Sequence, residues 1–237
     1  MRVDFHLHIL PDIDDGAADV ETSIRMLEAL KQQEVTSIFA TPHFLLHKTN
    51  IAEFIAARKK AYQELIHDPQ FGEDLPRVYT AAEVAIEPEI SRQNCFPLCY
   101  ENLSAILLEL PRIEYKHWMY QEIENIRYGF GVIPVLAHLE RFLWYDPKDL
   151  RSLLQLNGIA VQINAGAFER HAARQLIQEL YERNMRVIVG TDSHNCDSRR
   201  PDFDILDSVV GKHRFRKWMP WLKENQEWFL SQERNHV

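Results

Sequence analysis

Seven short apolar runs recur along the chain: VDFHL (3–7), SIFAT (37–41), RVYTAA (77–82), SAILLEL (104–110), VIPVLAH (132–138), AVQIN (160–164) and RVIVG (186–190). Their length and β-branched content predict buried strands. Between them, apolar residues return at helical spacing. Val20, Ile24, Leu27 and Leu30 follow a capping Asp19, and Phe54, Ala57, Ala61 and Leu65 follow Asn50. Asp146 and Pro147 open a helix over 148–156 that stops at Asn157 and Gly158, and Ala173, Leu176, Ile177 and Leu180 form a further stripe ending near Asn184. Strand and helix alternating in this way predict an α/β fold with a parallel sheet and right-handed crossovers, and seven units favour a barrel over an open sheet.

Nothing divides the chain: no linker, repeat or low-complexity segment interrupts its 237 residues, which is an ordinary length for a single α/β barrel domain spanning 1–237. No apolar run approaches the roughly 20 residues that span a bilayer, and the first residues lead directly into a strand without a secretion pattern, so a cytoplasmic protein without membrane insertion is expected. A formal charge of −8 argues against binding a nucleic-acid backbone. Three cysteines, Cys95, Cys99 and Cys196, fit reduced thiols better than a disulfide framework.

Polar residues gather where the strands end. Residues i and i+2 of a strand share a side, so His6 and His8 aim at one point. The later runs end in His43, Glu83, Glu109, His138, Asn164, and Asp192 with His194. An α/β barrel builds its active site at that face, so residues distant in sequence converge there. The remaining histidines, His47, His67, His117, His171, His213 and His236, fall in helices, loops or the tail and read as surface residues. Nitrogen and oxygen donors without sulfur suit Mn, Fe or Zn.

With DFHLHILPDIDDGA, ATPHF, AAEV, LLELP, AHLER and TDSHNCDSR occurring in that order, the sequence resembles the PHP (polymerase and histidinol phosphatase) metallophosphoesterases, and within them the CpsB/CapC-type tyrosine-protein phosphatases of capsule and exopolysaccharide biosynthesis. The resemblance implies a distorted (β/α)7 barrel with three divalent metal ions, Mn2+ being the expected species. It implies one ion on His6, His8, Glu83 and Asp192, a second on Glu83, Glu109 and His138, and a third on Asp15, His43 and His194. Asp12 and Asp14 are left to cap or orient the loop, and Arg141 and Arg199 match the arginines that hold phosphate oxygens. Leu139, where the family commonly has proline, and the pair Ala81 and Ala82 depart from the usual pattern.

The implied chemistry is hydrolysis of phosphotyrosine on a polysaccharide-assembly tyrosine autokinase by a metal-activated water. Two guanidiniums would grip the equatorial oxygens. The alternative is a small-molecule phosphatase such as one acting on histidinol phosphate, a branch that often has histidine where Glu109 stands. A polymerase-linked nucleic-acid module lacks its polymerase, and a non-catalytic interaction protein would not need every ligand and both arginines. Cysteine-based phosphatases place an arginine about five residues beyond the thiolate. Cys95 and Cys99 have none there, and Arg199 and Arg200 follow Cys196 too soon. The run Lys212 to Lys217 reads as a solvated basic segment.

Overall fold

A computed structural model describes residues 1–234; His236 lies outside the described residues. All seven expected runs are strands: β1 (Arg2–Leu7), β2 (Val35–Ala40), β4 (Arg77–Thr80), β6 (Ala105–Glu109), β7 (Ile133–Leu136), β8 (Ala160–Asn164) and β9 (Arg186–Gly190). Two short ones add to them, β3 (His43–Phe44) and β5 (Glu83–Ala85). The run 77–82 does not continue through Glu83; it breaks after Thr80, and the chain resumes in a different sheet. The strands form a parallel three-stranded sheet, β1-β2-β4, and a parallel six-stranded sheet, β3-β5-β6-β7-β8-β9. Among the described residues nine strands thus form, the seven expected and these two.

The two sheets meet where the end of β9 reaches β1, and on the other side β2 and β4 lead through two residues each into β3 and β5. Asp192 N donates to His6 O at 2.6 Å and His8 N to Ser193 O at 2.9 Å at the first junction; at the second, Ala81 N to Ala40 O extends the β2–β4 ladder and Glu83 N to Pro42 O begins the β3–β5 ladder. Gly190 sits at the first of these junctions. A Cβ there would lie 2.6 Å from His6 Cβ and 2.7 Å from His6 N, so glycine is what lets β9 and β1 approach.

Helices cover the strands. Asp19 and Asn50 cap α1 (Val20–Gln32) and α2 (Ile51–Ile66) as expected, each accepting from a backbone N–H three residues on. Ala57 is exposed rather than buried; α2 uses Arg58 at that turn, whose guanidinium donates to Ala81 O and Pro97 O. α3 (His117–Phe130) ends at Gly131, at φ 63°. α4 (Pro147–Leu153) starts on its Asp-Pro cap but stops short of Leu156, and α5 (His171–Glu182) buries the whole predicted stripe. α6 (Phe203–Val210) and α7 (Trp218–Leu230) complete the chain. No described helix is long and apolar enough to cross a membrane.

A small apolar layer supports the strand ends. Ala81 and Leu107, two residues before Glu83 and Glu109, pack with Phe5, Phe39, Tyr100, Val135, Ile188 and Phe229. Phe229 of α7 meets Phe5 edge-on at 5.2 Å, and the Tyr100 hydroxyl donates to Phe5 O at 3.0 Å. Phe5 and Leu7 do not share surroundings as simple alternation requires: the β1–β2 register shifts between Asp4 and Leu7, which sends Leu7 into the larger helix-covered core.

Gly190→Ala is expected to lower stability by about 1–3 kcal/mol through overpacking against the His6 backbone. Denaturant unfolding of the two proteins checks this.

Candidate metal centre

All nine donors expected from the strand ends and the loop after β1 come together. Glu83, buried, is the hub: Oε1 lies 2.7 Å from His138 Nε2, and Oε2 lies 3.2 Å from His6 Nε2, 3.1 Å from His8 Nε2 and 3.0 Å from His43 Nδ1. Asp192 Oδ1 faces His6 and His8 at 3.6 and 3.4 Å. Asp15 Oδ1 lies 3.4 Å from both His43 and His194, and Glu109 Oε1 lies 3.6 Å from His138. Four overlapping groups have donor atoms within 4.8 Å of one another: His8, Asp15, His43 and His194; His6, Glu83 and His138; His6, His8 and Asp192; His43, Glu83 and Glu109.

The side chains fit metal ions. The ring nitrogens of His6 and His8 face each other at 3.3 Å, and Glu83 Oε2 and His194 Nε2 are buried without a hydrogen-bond partner despite their crowded surroundings. Unsatisfied buried donors converging on one region are costly unless a cation occupies it.

The electrostatics of the metal-free cluster point the same way. Burial works against charge throughout, yet the carboxylates of Glu83 and Asp192 raise the pKa of His6, and those of Asp14, Asp192 and Glu83 raise that of His8 well above the ordinary value. Burial likewise opposes a charge on His43, and Glu83 overcomes it, raising its pKa. Glu83 is held well below the carboxylate range, burial being outweighed by His6, His138 and His43. His194 is pushed down to about 4 by burial and the neighbouring His8. Glu109 moves up through burial and the charge on Glu83.

Residues behind the donors fix their aim. Asp14 accepts from Gly16 N and His43 N and pairs with His8 Nδ1 at 2.7 Å, which is the orienting role expected of it. Burial would raise its pKa, but His8 and those amides hold it down to about 2. Asp12 sits exposed in the turn at φ 52°. Two other supports were not anticipated. Gln162 Oε1 accepts from His138 N at 2.7 Å and lies 3.0 Å from His6 Nδ1. Asp4, buried, accepts from Thr191 N and Oγ1 and from His6 N, tying β1 to the loop that carries Asp192. The period-two rule that picks out His6 and His8 also reaches these residues: Asp4 is two positions before His6, and Gln162 two before Asn164. His138 and Asp192 both adopt positive φ, 29° and 52°, a strain of roughly 1–3 kcal/mol each that the bonds to Gln162 and His6 O hold in place.

Arg141 and Arg199 flank the cluster and both donate to Asp192, Arg199 at 3.2 Å; Arg199 also lies 3.4 Å from Asp15. Arg200 turns away to Asp204 at 3.0 Å. Leu139, Ala81 and Ala82 are fully buried beside the site. The cysteines are poor thiolates: burial pushes Cys95 up to about 12 and Cys99 up to about 11, and raises Cys196, which lies half-buried against Thr22. His47, His67, His117, His171 and His213 are exposed, as is the basic run apart from half-buried Phe215.

Residues 2–223 match the family described as "Capsular polysaccharide synthesis, CpsB/CapC". The chain is similar to tyrosine-protein phosphatase YwqE of Bacillus subtilis (strain 168), with 30% identity over 240 residues, 96% of this chain and 91% of the relative. It is also similar to tyrosine-protein phosphatase CpsB of Streptococcus pneumoniae, with 26% identity over 231 residues, 89% of this chain and 90% of that one. Its fold matches a solved structure from a study of YwqE and CpsB, presented there as unique metal-dependent tyrosine phosphatases, at a TM-score of 0.79 and 26% identity, covering 98% of this chain and 95% of the other.

Two outcomes follow from the geometry. His6, His8 and His43 hold protons more tightly than free imidazole, so a divalent ion has to displace them. Mn2+ affinity is therefore expected to climb as pH rises above 6.5, with proton release visible in calorimetry across buffers of different ionisation enthalpy. In the metal-free protein the sign is opposite: raised imidazole pKa values stabilise the fold below pH 6.5, and that contribution is lost as pH rises through the folded values. Second, Gln162→Leu is expected to weaken Mn2+ binding about 10- to 100-fold with circular dichroism unchanged, because it frees His6 and His138 from their shared acceptor.

Proposed function

Since the chain belongs to the CpsB/CapC family of capsular polysaccharide synthesis, we propose that it is a metal-dependent protein-tyrosine phosphatase that hydrolyses phosphotyrosine monoesters. The observation that carries this reading is the convergence of nine nitrogen and oxygen donors around Glu83 with two guanidiniums at the rim. In this reading residues 1–237 are one domain, a distorted (β/α)7 barrel of the PHP type.

Three divalent ions, Mn2+ the expected species, would be held by His6, His8, Glu83 and Asp192; by Glu83, Glu109 and His138; and by Asp15, His43 and His194. When bound, such ions neutralise the phosphate and bring the pKa of water towards neutrality. The protein's own groups supply the rest. Arg141 and Arg199 hold the equatorial oxygens, where charge spreads in the transition state, and Asp192 keeps both side chains aimed at the cluster until substrate arrives. Asp14 and Gln162 keep the rings of His8 and His6 in place. Phenolate leaves readily, the tyrosine hydroxyl having a pKa of about 10, so a strong general acid is less necessary. The thiols take no part.

The protein substrate we favour is a tyrosine autokinase of polysaccharide assembly, met in the cytoplasm. Nucleic acid and membrane insertion play no role in this reading.

Purified protein is expected to carry close to three transition-metal ions per chain and to turn over a phosphotyrosine peptide in preference to histidinol phosphate. A chelator should abolish turnover and Mn2+ restore it; preference for histidinol phosphate, or full activity with at most one ion, would overturn the proposal. Arg199→Ala is expected to lower kcat/KM by roughly 10² to 10³ with metal content intact, while Arg200→Ala and Cys196→Ser change it little. Steady-state kinetics alongside elemental analysis of the three variants decides it.

A further inference from the structure

Two clefts open onto the donor cluster, and they share no lining residue. One, of about 370 Å³, is polar and contains Arg141, Arg199 and Asp192. The other, of about 570 Å³, reaches the cluster at His43 and Glu109; Leu45, Ala85 and Pro111 give it apolar walls, Arg112 also lines it, and Ile86 and Leu110 belong to the core behind it. The one acidic group in this second cleft besides Glu109 is Glu87, which His47 engages at 2.8 Å.

The strand register explains where the apolar walls begin. Glu83 and Ala85 share a face of β5, and Ala85 pairs with Glu109 on β6. The donor row thus ends at Glu83 and Glu109, and the next position outward on β5 is a methyl group that leaves the space open. A phosphate ester with an aromatic leaving group has the same two-part character, a dianionic head joined to a flat apolar body.

We infer that the apolar cleft receives the aryl leaving group and that Leu45, Ala85 and Pro111 determine the preference for aryl over alkyl phosphate esters. The inference rests on the phosphatase reading and adds to it a specificity surface separate from the arginine clamp. Ala85 faces the ring, Leu45 and Pro111 flank it, and the polar cleft takes the phosphate oxygens. Burying an aryl ring fully is worth roughly ten- to hundredfold in affinity.

The test compares phenylphosphonate with methylphosphonate, by calorimetric titration into metal-loaded protein. The parent protein is expected to prefer the phenyl compound by about tenfold or more. Ala85→Phe, which fills the cleft, should bring that ratio close to one while methylphosphonate affinity stays within about twofold. Leu45→Asn lies outside the strands and serves if Ala85→Phe does not fold; it should cut the phenyl preference by about threefold or more. No preference in the parent, or equal losses for both ligands in the variants, would overturn the slot while phosphotyrosine turnover remained. Absence of both phosphonate binding and phosphotyrosine turnover would overturn the phosphatase reading beneath it.

Discussion

A charged carboxylate deep in a protein needs partners that offset its burial, and at the centre of this molecule Glu83 finds them in imidazoles. It is 1% exposed, and four imidazoles lie within 3.2 Å of its two oxygens. Those imidazoles come from β1 and the residue after it, from β3 and from the turn after β7, so the charge balance of one side chain requires the strand ends of both sheets to be in register. Two connections meet that requirement: Asp192 N on His6 O joins the end of β9 to β1, and β2 and β4 run on through two residues each into β3 and β5. Remove the cations and the centre of the molecule holds an uncompensated charge; remove the carboxylate and several imidazoles crowd together with nothing to offset them.

The support for this arrangement comes from polar side chains that reach backbone amides. Asp4 grips His6 N and Thr191 beside Asp192, Asp14 holds His43 by its N–H and His8 by its ring, and Gln162 holds His138 by its N–H and His6 by its ring. Bonds of this kind keep His138 and Asp192 in a backbone conformation that non-glycine residues seldom adopt. Beneath them the apolar layer of Phe5, Phe39, Tyr100 and Phe229 provides a rigid floor.

Much of this was legible in the sequence because strand ends and ligand types coincide: His6, His8, Glu83, Glu109, His138 and Asp192 stand out once the apolar runs are aligned. α1, with its capping Asp19, and α5, with its clean apolar stripe, are equally visible. What escaped had weaker local signals. The break after Thr80 depends on pairing with distant β6 rather than on any breaker residue, and Ala57 follows the stripe's spacing although a neighbouring arginine covers that turn instead. α7 carries apolar residues on several sides, which blurs its period, whereas α6 is only eight residues long although its buried Phe203, Leu206, Val209 and Val210 keep helical spacing. Gln162 and Asp4 are polar residues inside apolar runs, and only the folded neighbours turn them from anomalies into supports.

The first strand and the last helix touch through Phe5 and Phe229, and His6 is bonded to Asp192 across almost the whole chain. A ribosome releases these partners in the order β1 first, the 192 loop late and α7 last. Throughout most of synthesis His6 and His8 therefore have neither their carboxylate partner Asp192 nor the aromatic floor, and contacts of such sequence separation form slowly. The donor geometry thus draws on contacts from both ends of the fold, and the aromatic floor beneath it closes only when α7 packs on Phe5.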